Sequence, residues 1–237
     1  MNQKDKTINK IKSKGYWVIN IHPEVYQEKR IEQRSKIKDV VRNAVVGLRG
    51  WDYPHYFSVG EHEPYIIGNC MESFKDWENH IEFWRMTQSA NFVHLLALRE
   101  DWSGNIKYQN VWAPGDKSTV EKILSVFNTL YTLTEIFEFA KRLVQQNIFD
   151  PNVVIQLTLY DLLDRHLLAD SWPRIMPHVS KTYSWPWINT YPVEDILNKT
   201  YEFAFDAFRD LIDLFGWDNP PIDMLKNEQQ KFVQGKI

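Results

Sequence analysis

Cysteine is almost missing from this chain: Cys70 is the only one in 237 residues. A disulfide within the chain is therefore excluded, and so is a cysteine-rich zinc site. Long apolar runs are missing too. No segment approaches the ~20 apolar residues a membrane-spanning helix needs, so no membrane association is expected. The opening MNQKDKTINKIKSKG has no apolar core of a secretory signal, which makes the cytoplasm the expected location. In that setting the NKT sequon at Asn198 reads as a chance match. The phosphate-binding glycine patterns G-x-G-x-x-G and G-x-x-x-x-G-K-[ST] do not occur, nor does the G-x-S-x-G of a nucleophile elbow. His80-x-Glu82 lacks the P-C-x-x-C half of a zinc deaminase, and His62-Glu63 is not H-E-x-x-H. The histidine spacings predict no metal site, and no cofactor is expected. An excess of one charge sign is lacking as well. With 28 Lys+Arg against 31 Asp+Glu the net charge is −3, which excludes a whole-molecule basic surface for non-specific nucleic-acid binding but leaves room for a local patch.

What is present is an ordinary globular composition, 43% hydrophobic and 25% charged, enough to bury a sizeable core in one domain. Residues 1–14, with Lys4, Lys6, Lys10, Lys12 and Lys14, read as a flexible basic arm. Strand alternation follows in GYWVINIHP, with Trp17, Ile19 and Ile21 on one face. From Ser35 the period becomes helical, with Ile37, Val40, Val41, Ala44 and Val45 on one stripe. PYIIGNCM is a short strand candidate. HIEFWRMTQSANFVHLLALRED predicts a hairpin with arms His80 to Thr87 and Phe92 to Arg99.

A capping box at Ser118 and Glu121, after the turn-forming Pro114-Gly115, predicts a long helix to about Val144. NVVIQLTLYDLL predicts a strand, with RHLLAD as its partner. The proline- and tryptophan-rich stretch that follows reads as loop or edge. Pro192 opens a second long helix, with Glu194 and Asp195 in its first turn and Gly216 at its end. The expectation is a single α+β domain over residues 15–237, with a mainly antiparallel sheet and two long helices packed on one face.

Three stretches carry candidate chemistry. In LRGWDYPHYF, strand alternation would put Arg49, Trp51, Tyr53 and His55 on one side, with Asp52 on the other. Pro54 cannot donate to a ladder, so this segment lies at an edge or ends there. Arg, Trp, Tyr and His together suit base stacking or a protein hot spot, and they equally suit an aromatic core with one paired arginine. On the hairpin, His80, Glu82 and Trp84 share one face, while Arg85 on the other needs an acidic or ring partner. His94 on the second arm is placed to lie across. DLLDRH, with Asp161, Asp164, Arg165 and His166, reads as a turn with an exposed ion pair. Trp172, Trp185 and Trp187 sit among prolines, and Ser171 to Trp187 is expected to contact a protein partner or a second copy of the chain.

In order along the chain, GYW at Gly15, RGWDYPH at 49–55, HIEFWR at 80–85 and LYTLTEIFEFA at 130–140 resemble a region of bacterial proteins. There the region follows a Schlafen/Alba-type domain associated with DNA or ATP binding. The resemblance spans roughly Gly15 to Trp187, and no Schlafen/Alba-type domain accompanies it in this chain. It implies an accessory, sensing or assembly module of a bacterial regulatory or antiviral defence system. Two functions are carried forward. One is a non-enzymatic recognition module that uses Arg49, Trp51, Tyr53, His55, Glu82, Arg85 and Trp185 to bind a partner protein or nucleic acid. The other is a hydrolase or nuclease with a site built from Arg49, Asp52, His55, Glu82 and Arg85.

Overall fold

The two arms predicted by alternation pair as written: β-strands at His80–Thr87 and Phe92–Ala97 form a hairpin, with Ala90 at positive φ in its turn. Around it, the computed structural model describes residues 2–57, 63–104, 108–109, 119–169 and 174–236. In chain order the elements are α1 (Gln3–Ile11), β1 (Tyr16–Pro23), α2 (Arg34–Ala44), β2 (Tyr65–Ile67), β3 (Cys70–Trp77), β4 (His80–Thr87) and β5 (Phe92–Ala97). After a 3₁₀ turn at Arg99–Asp101 come β6 (Tyr108–Gln109), β7 (Thr119–Val120), β8 (Ile123–Ser125) and α3 (Val126–Val144). The remainder is β9 (Asn152–Tyr160), β10 (His166–Ala169), β11 (Arg174–Val179), β12 (Ser184–Pro192), α4 (Val193–Asp213) and α5 (Ile222–Val233).

Seven strands form one antiparallel sheet in the order β12-β9-β1-β5-β4-β3-β2. The chain is therefore α+β, as the element order predicts, with five α-helices among the described residues, the two long ones and three shorter ones. Helices α2, α3, α4 and α5 share one core with Trp17, Ile19, Ile21, Trp84 and Phe92 of the sheet. α3 is buried nearly all round, Thr129, Thr132, Thr134, Glu135 and Glu138 included, with α4 and α5 laid over it. Among the described residues no helix is long and apolar enough to cross a membrane.

Three expectations are corrected. The basic arm is largely helix: Asn2 caps α1 by accepting from the Asp5 N–H at 2.8 Å, and Ile11 is buried on the sheet face opposite α3, with Ile81, Phe83 and Leu95. Its lysines have partners on that face, Lys4 on Glu72 at 3.1 Å and Lys10 on Asp76 at 2.5 Å. The long helix starts at Val126 instead of Ser118, because Ile123–Ser125 pairs parallel to β10 and Ser125 is the residue that caps Asn128 N–H. Ser118 and the Pro114-Gly115 turn lie outside the described residues. Strand β10 pairs with β8 and β11, not with β9, since both edges of β9 are already taken by β1 and β12. The tryptophan-rich stretch, apart from Trp172 outside the described residues, is edge structure as expected, since β11 and β12 are each the outer strand of their sheet. Its second strand, β12, is an edge strand, which accommodates Pro186 and Pro192.

The α1 contact is acid-sensitive by construction. Burial alone would raise the Glu72 carboxyl, but hydrogen bonds from Arg85 and Lys4 outweigh it and hold the carboxyl below its ordinary value. A depressed folded-state pKa means stability is present above the unfolded value, near pH 4.5, and is lost as pH falls through the folded one. Melting temperature measured against pH should therefore fall more shallowly below pH 4.5 in Glu72→Gln than in the wild type. Parallel profiles would show that another group carries the acid loss.

Candidate functional site

Segment 45–57 does not form the strand that alternation suggests. A single bridge closes it, with Val46 and Tyr53 exchanging backbone hydrogen bonds at 2.9 and 2.7 Å. Gly50 turns the chain at φ +80°, a conformation that suits glycine, and the Tyr53–Pro54 peptide is cis. Once the ladder is lost, the four side chains no longer share a side. Tyr53 and His55 are buried, Arg49 is nearly so, and Trp51 is 39% exposed.

Arg49 is fixed on α3. Its Nε lies 2.9 Å from Glu135 Oε2, and its Nη2 donates to Thr132 Oγ1 at 2.8 Å and to the Asn128 carbonyl at 3.3 Å. Burial lowers the guanidinium pKa, and Glu135 and Glu100 work against that. Burial likewise pushes the Glu135 carboxyl up to about 7, opposed by Arg49. This arginine is an internal tie, not a cation presented to solvent.

His55 enters a second group. Glu82, buried on β4, accepts the His55 backbone N–H at Oε1 (3.0 Å), and its Oε2 lies 3.1 Å from His94 Nε2 on β5. His80 Nε2 is 3.3 Å from the same oxygen without an aligned hydrogen bond, and His55 Nδ1 is 3.9 Å from Oε1. The His55 and His80 rings lie 3.9 Å apart between centroids. Tyr53 Oη is 3.3 Å from His94 Nδ1, and Trp84 Nε1 donates to the His55 carbonyl at 3.1 Å. Burial would raise the Glu82 carboxyl, but His80 and His94 hold it well below the carboxylate range. Burial brings the His55 imidazole down to about 4, so it is neutral at pH 7. Lys75, directly across the ladder from Glu82, is lowered by burial to about 8.

Arg85 is not part of this group. Its side of β4 faces α1, where Glu72 accepts from its Nε at 2.7 Å, so the acidic partner its position demanded is Glu72. Asp52, one residue from the turn, is raised by burial and lies on the Glu82 side. Trp185 is 1% exposed and donates from Nε1 to Asp210 Oδ2 at 2.7 Å. It belongs to the core and not to a contact surface. The DLLDRH turn does form, with Asp161 and Asp164 at positive φ, but its ion pair is not exposed: Arg165 is fully buried against Asp101 at 2.8 Å.

Two cavities meet at Trp51. A cleft of about 570 Å³ is lined by Leu48, Trp51, Arg99, Phe127 and Tyr131, and a small cavity of about 40 Å³ runs from Trp51 and Asp52 to His80 and Glu135. Arg99, exposed, holds its guanidinium 5.3 Å from the centre of the Trp51 ring. A larger cleft of about 780 Å³ lies nearby. Its lining sets Lys12, Lys14, Arg99 and Lys122 against Glu100, Asp101, Glu121 and Asp161, so it has no charge bias to select an ion.

The structure thus gathers Tyr53, His55 and Glu82 with Asp52 beside them, ties Arg49 separately to Glu135, leaves Trp51 at the mouth, and separates Arg85 and Trp185. Sequence reasoning missed Arg99, Glu135 and Lys75. An acid within the apolar helix stretch TLTEIFEFA was the available signal for Glu135; nothing local marks Arg99. Comparison of the chain with protein-family models, with curated proteins and with solved structures finds no match.

Proposed function

We propose that this chain is a recognition module that holds a base-bearing ligand, a nucleotide or a single nucleic-acid strand, in the cleft at Trp51. One observation carries the reading: a partly exposed indole lies under the Arg99 guanidinium, at the mouth of a cleft lined by Phe127 and Tyr131. A flat apolar face beside a cation matches what a base and its phosphate offer, and stacking of this kind tolerates any base sequence. Arg99 takes the role that sequence reasoning gave to Arg49. The setting is the one the resemblance implies, an accessory module of a bacterial regulatory or defence system.

Trp51→Ala is expected to weaken binding of short single-stranded oligonucleotides by ~1–3 kcal/mol, read by fluorescence anisotropy at fixed salt. Because Trp51 is partly exposed, its removal should change folding stability little. Wild-type protein that binds no oligonucleotide or nucleotide, or a variant that binds equally well, would sink the proposal.

A hydrolase or nuclease is the second reading, favoured by Asp52 and His80 on the wall of the small cavity, with Glu82 and His55 next to His80. Its site would exclude Arg85. Turnover of nucleotide or nucleic-acid substrates that disappears in Glu82→Gln would establish it over the first.

A further inference from the structure

We propose that His55, His80 and Glu82 form a binding site for a divalent transition-metal ion. This goes beyond both functional readings, because it stands on the geometry of three side chains and assumes neither a ligand nor a reaction. One donor atom from each, a ring nitrogen of His55 and of His80 and a carboxylate oxygen of Glu82, lies within 4.8 Å of the others. For ligands about 2.0–2.1 Å from a tetrahedral ion the donors stand about 3.3 Å apart. Glu82 reaches the two rings with different oxygens, Oε2 at 3.3 Å from His80 Nε2 and Oε1 at 3.9 Å from His55 Nδ1, so to hold one ion the set must close by up to about 1.5 Å along its widest edge.

Two further observations point at an ion. The His55 side chain is 9% exposed, and its Nδ1 is buried with no hydrogen-bond partner, as is Nε2 of His80. Leaving two imidazole nitrogens unpaired at one spot is costly, and a shared cation would satisfy both. The surroundings also resemble a metal site's outer shell. His94 Nε2 holds Glu82 Oε2 at 3.1 Å, Tyr53 Oη is 3.3 Å from the other nitrogen of His94, and the His55 backbone N–H fixes Oε1. Hydrogen bonds of this sort orient metal-binding carboxylates. Two imidazoles and one carboxylate suit zinc, cobalt, iron or manganese and not calcium or magnesium, which take all-oxygen sets. Lys75, across the ladder from Glu82, opposes a cation, so the site is expected to bind less tightly than a structural zinc centre.

The fold makes this set by adding His55 to two residues that strand alternation already places together. His80 and Glu82 share a strand face at i and i+2, and His55 arrives from the loop closed by the Val46–Tyr53 bridge.

The test uses the full chain without an affinity tag, stripped with a chelator and titrated with Co²⁺, Zn²⁺ and Mg²⁺. Calorimetry should give one site per chain for Co²⁺ and Zn²⁺ and none for Mg²⁺, and Co²⁺ should develop visible absorption. His80→Ala, at a position 24% exposed, is expected to fold and to bind at least tenfold more weakly. His55→Gln should do the same, with folding of both variants checked by circular dichroism. No stoichiometric binding of either transition metal, or undiminished binding in either variant, overturns the proposed site.

Discussion

Trp185→Ala is expected to lose ~3–5 kcal/mol of folding stability in urea denaturation, the range for removing a buried tryptophan. The ring is 1% exposed on edge strand β12 and meets Trp17 edge-on at a centroid distance of 6.2 Å. Its indole N–H reaches Asp210 on α4 at 2.7 Å, so one side chain ties the sheet edge to the helix layer. Trp185→Phe keeps much of the burial and removes only the indole donor to Asp210, an exposed carboxylate that water can solvate, so it should lose less, about 1 kcal/mol. A loss under about 1 kcal/mol in the alanine variant would mean that the ring is not part of the core. An association assay with Trp185→Ala reads folding and not a contact surface. The exposed large apolar side chains on and beside β12, among the described residues, are Tyr183 and Ile188.

Asp101→Ala should be comparably damaging, at ~3–5 kcal/mol, because it strands a buried arginine. Arg165 is fully buried and makes a two-pronged pair with Asp101, at 2.8 Å on each oxygen, while also donating to the Ile123 carbonyl at 2.7 Å. That one guanidinium joins the small sheet at β8 and β10 to the 3₁₀ turn after β5. Asp161 offers a second carboxylate at 3.3 Å but is itself partly exposed, so it replaces Asp101 poorly. The same knot explains Gly15: a Cβ there would stand 2.6 Å from Arg165 Nη2 and 2.7 Å from Asp101 Oδ2. Gly15→Ala should therefore destabilise in the same direction, since the charged pair would have to part. Losses below about 1 kcal/mol for both Asp101→Ala and Gly15→Ala would show that the pair is replaceable by water.

Much of the fold is legible in local pattern. The His80–Thr87 arm is read to the residue, and β1, α2, β9 and α4 fall within a few residues of their expected places, because each depends on a period that its own side chains set. Pro192 and the acids Glu194 and Asp195 mark the start of α4 for the same local reason. The site was only half legible. His80 and Glu82 are placed on one face by alternation, and Arg85 on the other, which the structure bears out. The partners were not legible, since Glu72 and Glu135 lie 13 residues or more from the arginines they meet.

By itself, then, the sequence determined the α+β class, the hairpin, the two long helices and the lack of any disulfide, all of which follow from composition and short-range periodicity. The tertiary structure alone decided that the lysine-rich start docks as a helix, that Trp185 is core, and that Arg49 and Arg165 are internal ties. It alone brought His55 to His80 and Glu82. The physical reason is the same in each case. A buried charge or an orphaned ring nitrogen is tolerable only beside a partner, and which partner is in reach depends on how the strands are ordered and on which sheet face each loop covers. Neither of those is written in the spacing of residues along the chain.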